Sequence, residues 1–599
     1  MTQLRFDPPY SLPCLLAGAA LLPACIVTDP SDAATDTEAS GTETGDVDGG
    51  SDTADSTGGT PGDCTPLTQA DVETDAALDA GCYTVSQLLS VTHRLDIQGG
   101  AEMYFDAASG LFVGNGGVLS AIGTAEAPVV MTGSTAEGWQ GIQFLGSASS
   151  DNRLEFTQID GTGATAVEVG GTSRLTVQSS EVSGAPTYGI SAAAGAELTV
   201  AGSTFSGNGV PLAVALDGVT RIGADNVFDG NDEQVVEVEG GTLAEPARWV
   251  SPGVPLRMTT HVRIEGALVL DPGVEIEMPQ EGQFTVETSG SLSVQGTTEA
   301  PVTFRGVQDE RGYWRGISVE SKASANVMTG CVLENGGSDG WNGSPFSTAM
   351  VYLPAESKLV MSGCTLRGSD GAALASFGGA DIKGFENNTL EGNRSTLQLG
   401  PDMVHHIGEG NTFTGNDEAY IRVGRSTAGD PAIAEPATWR TIDVPYRVIA
   451  RFFVESAWTI AAGATVEVVQ DTAIFVESSG SLSAIGAPDS PIIIRGSEAQ
   501  PGYWKGIEIE SVSANNVMQY VELSNAGSEG FNGAADSDGS VYLAGGTLAL
   551  SDATVSDSGG YGIVVGGDGQ LQGCANVTFT NNTKGEVYVW DESASSACP

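Results

Sequence analysis

Two short stretches carry the residue types that hold sugars. Residues 336–347 read GGSDGWNGSPFS and residues 526–539 read AGSEGFNGAADSDG. Each sets an aromatic, Trp341 or Phe531, directly before an asparagine, Asn342 or Asn532. Acids follow or precede at Asp339, Glu529, Asp536 and Asp538. An exposed ring offers a flat apolar face for a sugar, and neighbouring amides and carboxylates hydrogen-bond its hydroxyls. Trp341, Asn342, Phe531 and Asn532 are therefore the candidate ligand-binding residues, with a polysaccharide or cell-surface glycan as the partner. The run DSDG also suits Ca²⁺, but it lacks the full spacing of an EF-hand loop. No other cofactor is implied.

Catalytic chemistry finds little support. The four histidines are His93, His261, His405 and His406. His405 and His406, if they lie on a strand, point to opposite faces and make a poor metal pair. No H-E-x-x-H or paired C-x-x-C occurs. Arg315, Lys505, Glu508 and Glu510 supply a cationic base and carboxylates, the ingredients of a lyase, but no spacing recommends them. The chain is expected not to be an enzyme.

The elements that position these residues follow from internal repeats. Ile159, Val182, Phe205 and Phe228 recur at intervals of 23, each two residues after a small polar side chain: Thr157, Ser180, Ser203 and Asn226. A unit this small cannot bury its own apolar face, so it stacks on its neighbours. Three short strands per coil, separated by Gly and Asn turns, predict an all-β parallel β-helix. Equivalent inward residues then pile into columns ~4.8 Å apart. Asn208, Asn231, Asn393 and Asn416 form a turn-side ladder of amides.

The stretches GVLSAIGTAEAPVVMTG, GSLSVQGTTEAPVTFRG and GSLSAIGAPDSPIIIRG, each followed by W-x-G-I, resemble secreted bacterial right-handed parallel β-helix proteins. The resemblance covers roughly residues 80 to 590 and implies a right-handed coil. It leaves function open, since such proteins include lyases, hydrolases, adhesins and scaffolds. The short signatures NTD, GHG and RIK that accompany those hydrolases are absent.

A longer repeat overlies the coils. EPARW at 245–249 returns as EPATW at 435–439, and Trp314 and Trp341 align with Trp504 and Phe531 at the same offset of 190. Three related modules, 64–244, 245–434 and 435–599, with about 20 coils, are expected. W-x-G-I falls once per module at a constant address (Trp139, Trp314, Trp504), the behaviour of a packing device. The two aromatic stretches lie where the period breaks, because Leu333 to Leu366 spans 33 residues and Leu523 to Val555 spans 32. Extra residues in a solenoid protrude as loops, often on a binding face.

The remaining features concern location. Residues 1–24 resemble an export signal, and LLPAC resembles a lipobox that would acylate Cys25, although Pro23 and Asp7 depart from the pattern. Residues 25–63 contain no Lys or Arg and read as an acidic Ser/Thr/Asp/Gly tether unable to bury a core. A net charge of −52, with 24 Lys and Arg against 76 Asp and Glu, argues against nucleic acid. The layout is that of a lipoprotein of the cell envelope, anchored by lipid alone at the outer membrane or cell surface. It would serve adhesion, glycan binding or envelope structure, with a polysaccharide lyase or glycoside hydrolase as the alternative. In an exported body, proximity suggests bridges Cys64–Cys82 and Cys574–Cys598. Cys331 and Cys364 stack inward, as thiols or as a bridge.

Overall fold

A computed structural model describes residues 63–376, 378–424, 431–531, 533, 536–590 and 595–598. The expected signal, Cys25, the tether up to residue 62 and the candidate Asn532 lie outside them. The chain winds as a parallel β-solenoid of about 21 turns with 3% helix. Strands pair in parallel with their equivalents one turn away, so sequence neighbours lie in different sheets.

Two 14-stranded sheets run through the body and overlap along its length. The 8-stranded sheet of the first turns ends at Val227–Asp229. New sheets start at Gly241–Leu243 and Ala247–Trp249, and again at Ala432–Ile433 and Ala437–Trp439. These starts fall beside the two EPA-x-W stretches.

The inward columns are those read from the 23-residue interval. Ile159 pairs with Val182, Val182 with Phe205, and Phe205 with Phe228. Phe205 is fully buried and stacks on Phe228 at 5.3 Å. Phe228 is only partly buried, contrary to the uniform column expected, because its strand is the last of its sheet.

The small polar column joins successive coils through backbone amides. Thr157 N–H donates to Ser180 Oγ at 3.1 Å, Ser180 N–H to Ser203 Oγ at 3.2 Å, and Ser203 N–H to Asn226 Oδ1 at 3.0 Å. The asparagine ladder closes similarly: Asn208 Nδ2 donates to Asn231 Oδ1 at 3.0 Å, and Asn393 Nδ2 to Asn416 Oδ1 at 3.1 Å. Each buried amide is thereby satisfied within the stack, as burial of a polar group requires.

W-x-G-I is a packing element. Trp139, Trp314 and Trp504 are buried at 0–1% exposure. Each indole N–H donates to a carbonyl one coil on: Asp160 at 2.7 Å, Glu334 at 2.7 Å and Ser524 at 2.9 Å. The following glycine is required by geometry. Gly316 has φ +118°, and a Cβ there would lie 2.2 Å from the Met350 carbonyl oxygen.

Disulfides join Cys64 to Cys82 and Cys574 to Cys598 in the first and last turns, and Cys331 to Cys364 between adjacent coils. Their Cα–Cα distances of 4.7, 5.2 and 4.5 Å lie within the span a bridge requires. The stacked pair, like the two terminal pairs, is thus placed to form a bridge.

Candidate functional site

The insertion at 336–347 leaves strand Cys331–Glu334 and returns in strand Ala349–Leu353. It does not stand free. Small residues face outward on the sheet beside it, and the loop lies over that bed. Ala349, Tyr352, Ala372 and Ala375 form a second, separate buried cluster, with Trp341 and Phe346 packed against it. Trp341 is consequently half-buried rather than exposed, which corrects the expectation of a free platform.

Three contacts hold the indole. Its N–H donates to the Ala349 carbonyl at 3.0 Å. Its ring lies nearly parallel to Tyr352, 5° between planes and 6.1 Å between centroids. The Arg315 guanidinium sits 5.4 Å from the ring centroid, within cation–π range. Arg315 also donates to the Gly340 carbonyl and pairs with Asp339 at 3.4 Å. Asn342 accepts from Ser347 Oγ at 2.6 Å and donates to Tyr352 Oη at 3.3 Å, so it shapes the loop while remaining accessible.

The same constellation is built again 190 residues later. Phe531, also half-buried, lies 5.8 Å from Tyr542 at 22°. Lys505 Nζ sits 5.3 Å from the Phe531 centroid and pairs with Glu529 at 3.1 Å. Arg315 and Lys505, named above only as lyase ingredients, are therefore partners of the two aromatic candidates.

The sheet beneath differs between the two. In the first cluster the outward column reads Thr285, Ser318, Tyr352, Ala375, Gln398. Ser318 Oγ, Gln398 Nε2 and Arg315 Nε are buried without a hydrogen-bond partner. In the second the column reads Phe453, Phe475, Glu508, Tyr542. Phe531 meets Phe475 edge-on at 6.0 Å. Burial pushes the Glu508 carboxyl up to about 7, with Glu510 and Glu477 adding to the rise and Lys505 opposing it. The aromatic pairs provide stacking surface, and the cations, amide and hydroxyls around them provide hydrogen bonds.

The other candidates resolve differently. Asp538 pairs with Lys584 at 2.9 Å, and among the described residues no three potential ligands gather to hold a metal. His405 and His406 lie on a 3-10 turn, Val404–His406, with rings 3.9 Å apart, so the premise of opposite strand faces fails. Burial lowers the affinity of both for a proton, His406 to about 4. A groove of about 880 Å³ elsewhere is lined by Glu277, Arg305, Glu334, Arg367 and Glu391. Its charges answer one another across rungs, as in Arg305–Glu277 at 2.8 Å and Arg367–Glu334, the usual role of such pairs in a sheet.

Tyr352, Tyr542 and Phe475 were not anticipated. The two tyrosines share the 190-residue offset and were detectable by it. Compared with protein families, with curated proteins and with solved structures, the chain matches none.

Proposed function

We propose that this chain is a non-catalytic, surface-displayed lipoprotein whose solenoid carries two glycan-binding clusters, at Trp341 and at Phe531, away from the membrane. The supporting observation is duplication of a complete constellation. Aromatic, tyrosine, cation and acid recur together in the same mutual contacts (Trp341, Tyr352, Arg315, Asp339; Phe531, Tyr542, Lys505, Glu529), within loop starts that also repeat, GSDGWNG and GSEGFNG. Packing alone would preserve the ring and its bed. Keeping a partly exposed cation and acid around each ring as well suits recognition of a polar ligand with an apolar face. Export and lipidation rest on the resemblance of residues 1–25 and on the acidic tether. The test is a glycan panel probed with the parent chain and with a Trp341→Ala/Phe531→Ala variant, beside thermal unfolding.

A second reading, a carbohydrate-active lyase or hydrolase, is favoured by one observation. Lys505 acts electrostatically on Glu508, whose carboxyl titrates near neutral pH beside Glu510, where a proton donor would be useful. Release of unsaturated or reducing-end products from any glycan that the chain binds, lost in Glu508→Gln, would move the assignment to this reading.

A further inference from the structure

We propose that the rung shared by Ser318 and Glu508 sets the ligand charge that each cluster accepts. The Glu508 cluster takes neutral or amino sugars and excludes uronates, whereas the Ser318 cluster admits uronates. This rests on the glycan reading above.

The two clusters form a controlled comparison within one molecule. Ring, tyrosine, cation and acid are matched between the clusters, as described. So is the acidic rim, where Glu287 and Glu320 of the first correspond to Glu477 and Glu510 of the second at the same offset of 190. The rim carboxylates therefore do not discriminate, but Arg263, which pairs with Glu287 at 3.7 Å, has Phe453 in its place at the second cluster, a difference that favours an anion at the first. The floor differs in the same sense. Phe475 and Tyr542 occupy the rungs on either side of Glu508, and Phe531 packs against both, so the ring crosses the rung of the carboxylate. A sugar seated on Phe531 therefore lies within range of that carboxylate's charge. The facing charges are Glu477, Glu510 and Lys505, and Lys505 is already paired with Glu529. A second anion placed there is repelled in a partly dehydrated setting, where charge interactions are stronger than in water.

The first cluster offers the opposite. Ser318 is 1% exposed and its hydroxyl has no partner; nor have Gln398 Nε2, at 2% residue exposure, or Arg315 Nε. These atoms are enclosed by the fold and do not reach a ligand; what distinguishes the first cluster is a neutral hydroxyl where the second has a carboxylate, with Arg315, paired to Asp339 at 3.4 Å, beside the ring. Glu508 titrates at about 7, so the exclusion of uronates holds above neutral pH and relaxes below it. A sugar carboxyl, by likeness to ordinary carboxyls at about 3.5, stays ionised throughout that window.

The experiment uses the full chain and calorimetric titration with three probes: a tetragalacturonate, a cello-oligosaccharide and a chitosan oligomer. Trp341→Ala isolates the second cluster and Phe531→Ala the first. With only the second active, galacturonate at pH 8.5 binds at least tenfold more weakly than the cello-oligosaccharide. Glu508→Ser and the isosteric Glu508→Gln each remove that ratio, as does lowering the pH to 5.5. With only the first active, Ser318→Glu imposes the ratio; should that variant fail to fold, the Glu508→Gln and pH arms decide. Binding with a ratio unmoved by these changes overturns this inference and leaves the glycan reading standing. Binding of no probe by the parent chain overturns both.

Discussion

Trp314 and Trp341 are the same residue type in the same stretch of solenoid, yet truncation separates them. Trp314 is 0% exposed, and its N–H satisfies the Glu334 carbonyl at 2.7 Å. Trp314→Ala empties an inward column and costs about 3–5 kcal/mol, as large-to-small core changes do. Part of that is the carbonyl left without its donor, roughly 1–3 kcal/mol when buried. Trp341 is half-buried over the alanine bed, outside the main core. Removing it forfeits part of the transfer energy of a buried large side chain, about 1–2 kcal/mol. Coils couple mainly to their neighbours, so both losses are local. Amide hydrogen exchange on strands Gln283–Val286, Gly316–Val319 and Ala349–Leu353, read beside a thermal melt, resolves them. Trp314→Ala lowers the melt and accelerates exchange in all three strands; Trp341→Ala accelerates exchange in the loop and in Ala349–Leu353 alone. Equal melts, or an unaffected Trp314→Ala, would refute the division between core and bed.

The bridge Cys331–Cys364 encloses 33 residues of separation including the first loop. Its replacement by two serines costs about 2–4 kcal/mol, seen as an earlier melt that reductant no longer shifts in that region. His406 binds its proton near pH 4 when folded, against about 6.5 unfolded. The unfolded chain thus gains protons first on acidification, and stability falls from about pH 6.5 towards 4. His406→Gln flattens that part of a denaturant-midpoint profile taken against pH. On expression in a bacterial host, Cys25→Ser releases the protein from the membrane fraction in which the parent is recovered; identical partitioning counts against lipidation.

Much of the coil was legible because its signals are local and repeated. The 23-residue interval, the asparagine ladder and the W-x-G-I address each depend on one side chain meeting its copy a turn away. Register in such a stack follows from alternation alone. The misread parts depend on what one face of the sheet does with a loop. Trp341 and Phe531 look exposed in a Gly-rich insertion, but Ala349, Ala372 and Ala375 make a shallow bed that the insertion covers. Small residues at successive outward positions are the signal for such cover, together with Tyr352 and Tyr542 at the repeated offset. His405 and His406 were assigned strand geometry, and a 3-10 turn brought their rings together. Phe228 loses burial simply because its sheet ends there.

The central claim is that the duplicated clusters bind glycan. A glycan panel probed with the parent chain and the Trp341→Ala/Phe531→Ala variant tests it most directly. The account predicts that the parent retains at least one glycan class, and that the double variant loses it while its β-rich circular dichroism spectrum and melt of the main core persist. A parent that retains none, or a double variant that binds as the parent does, would contradict it.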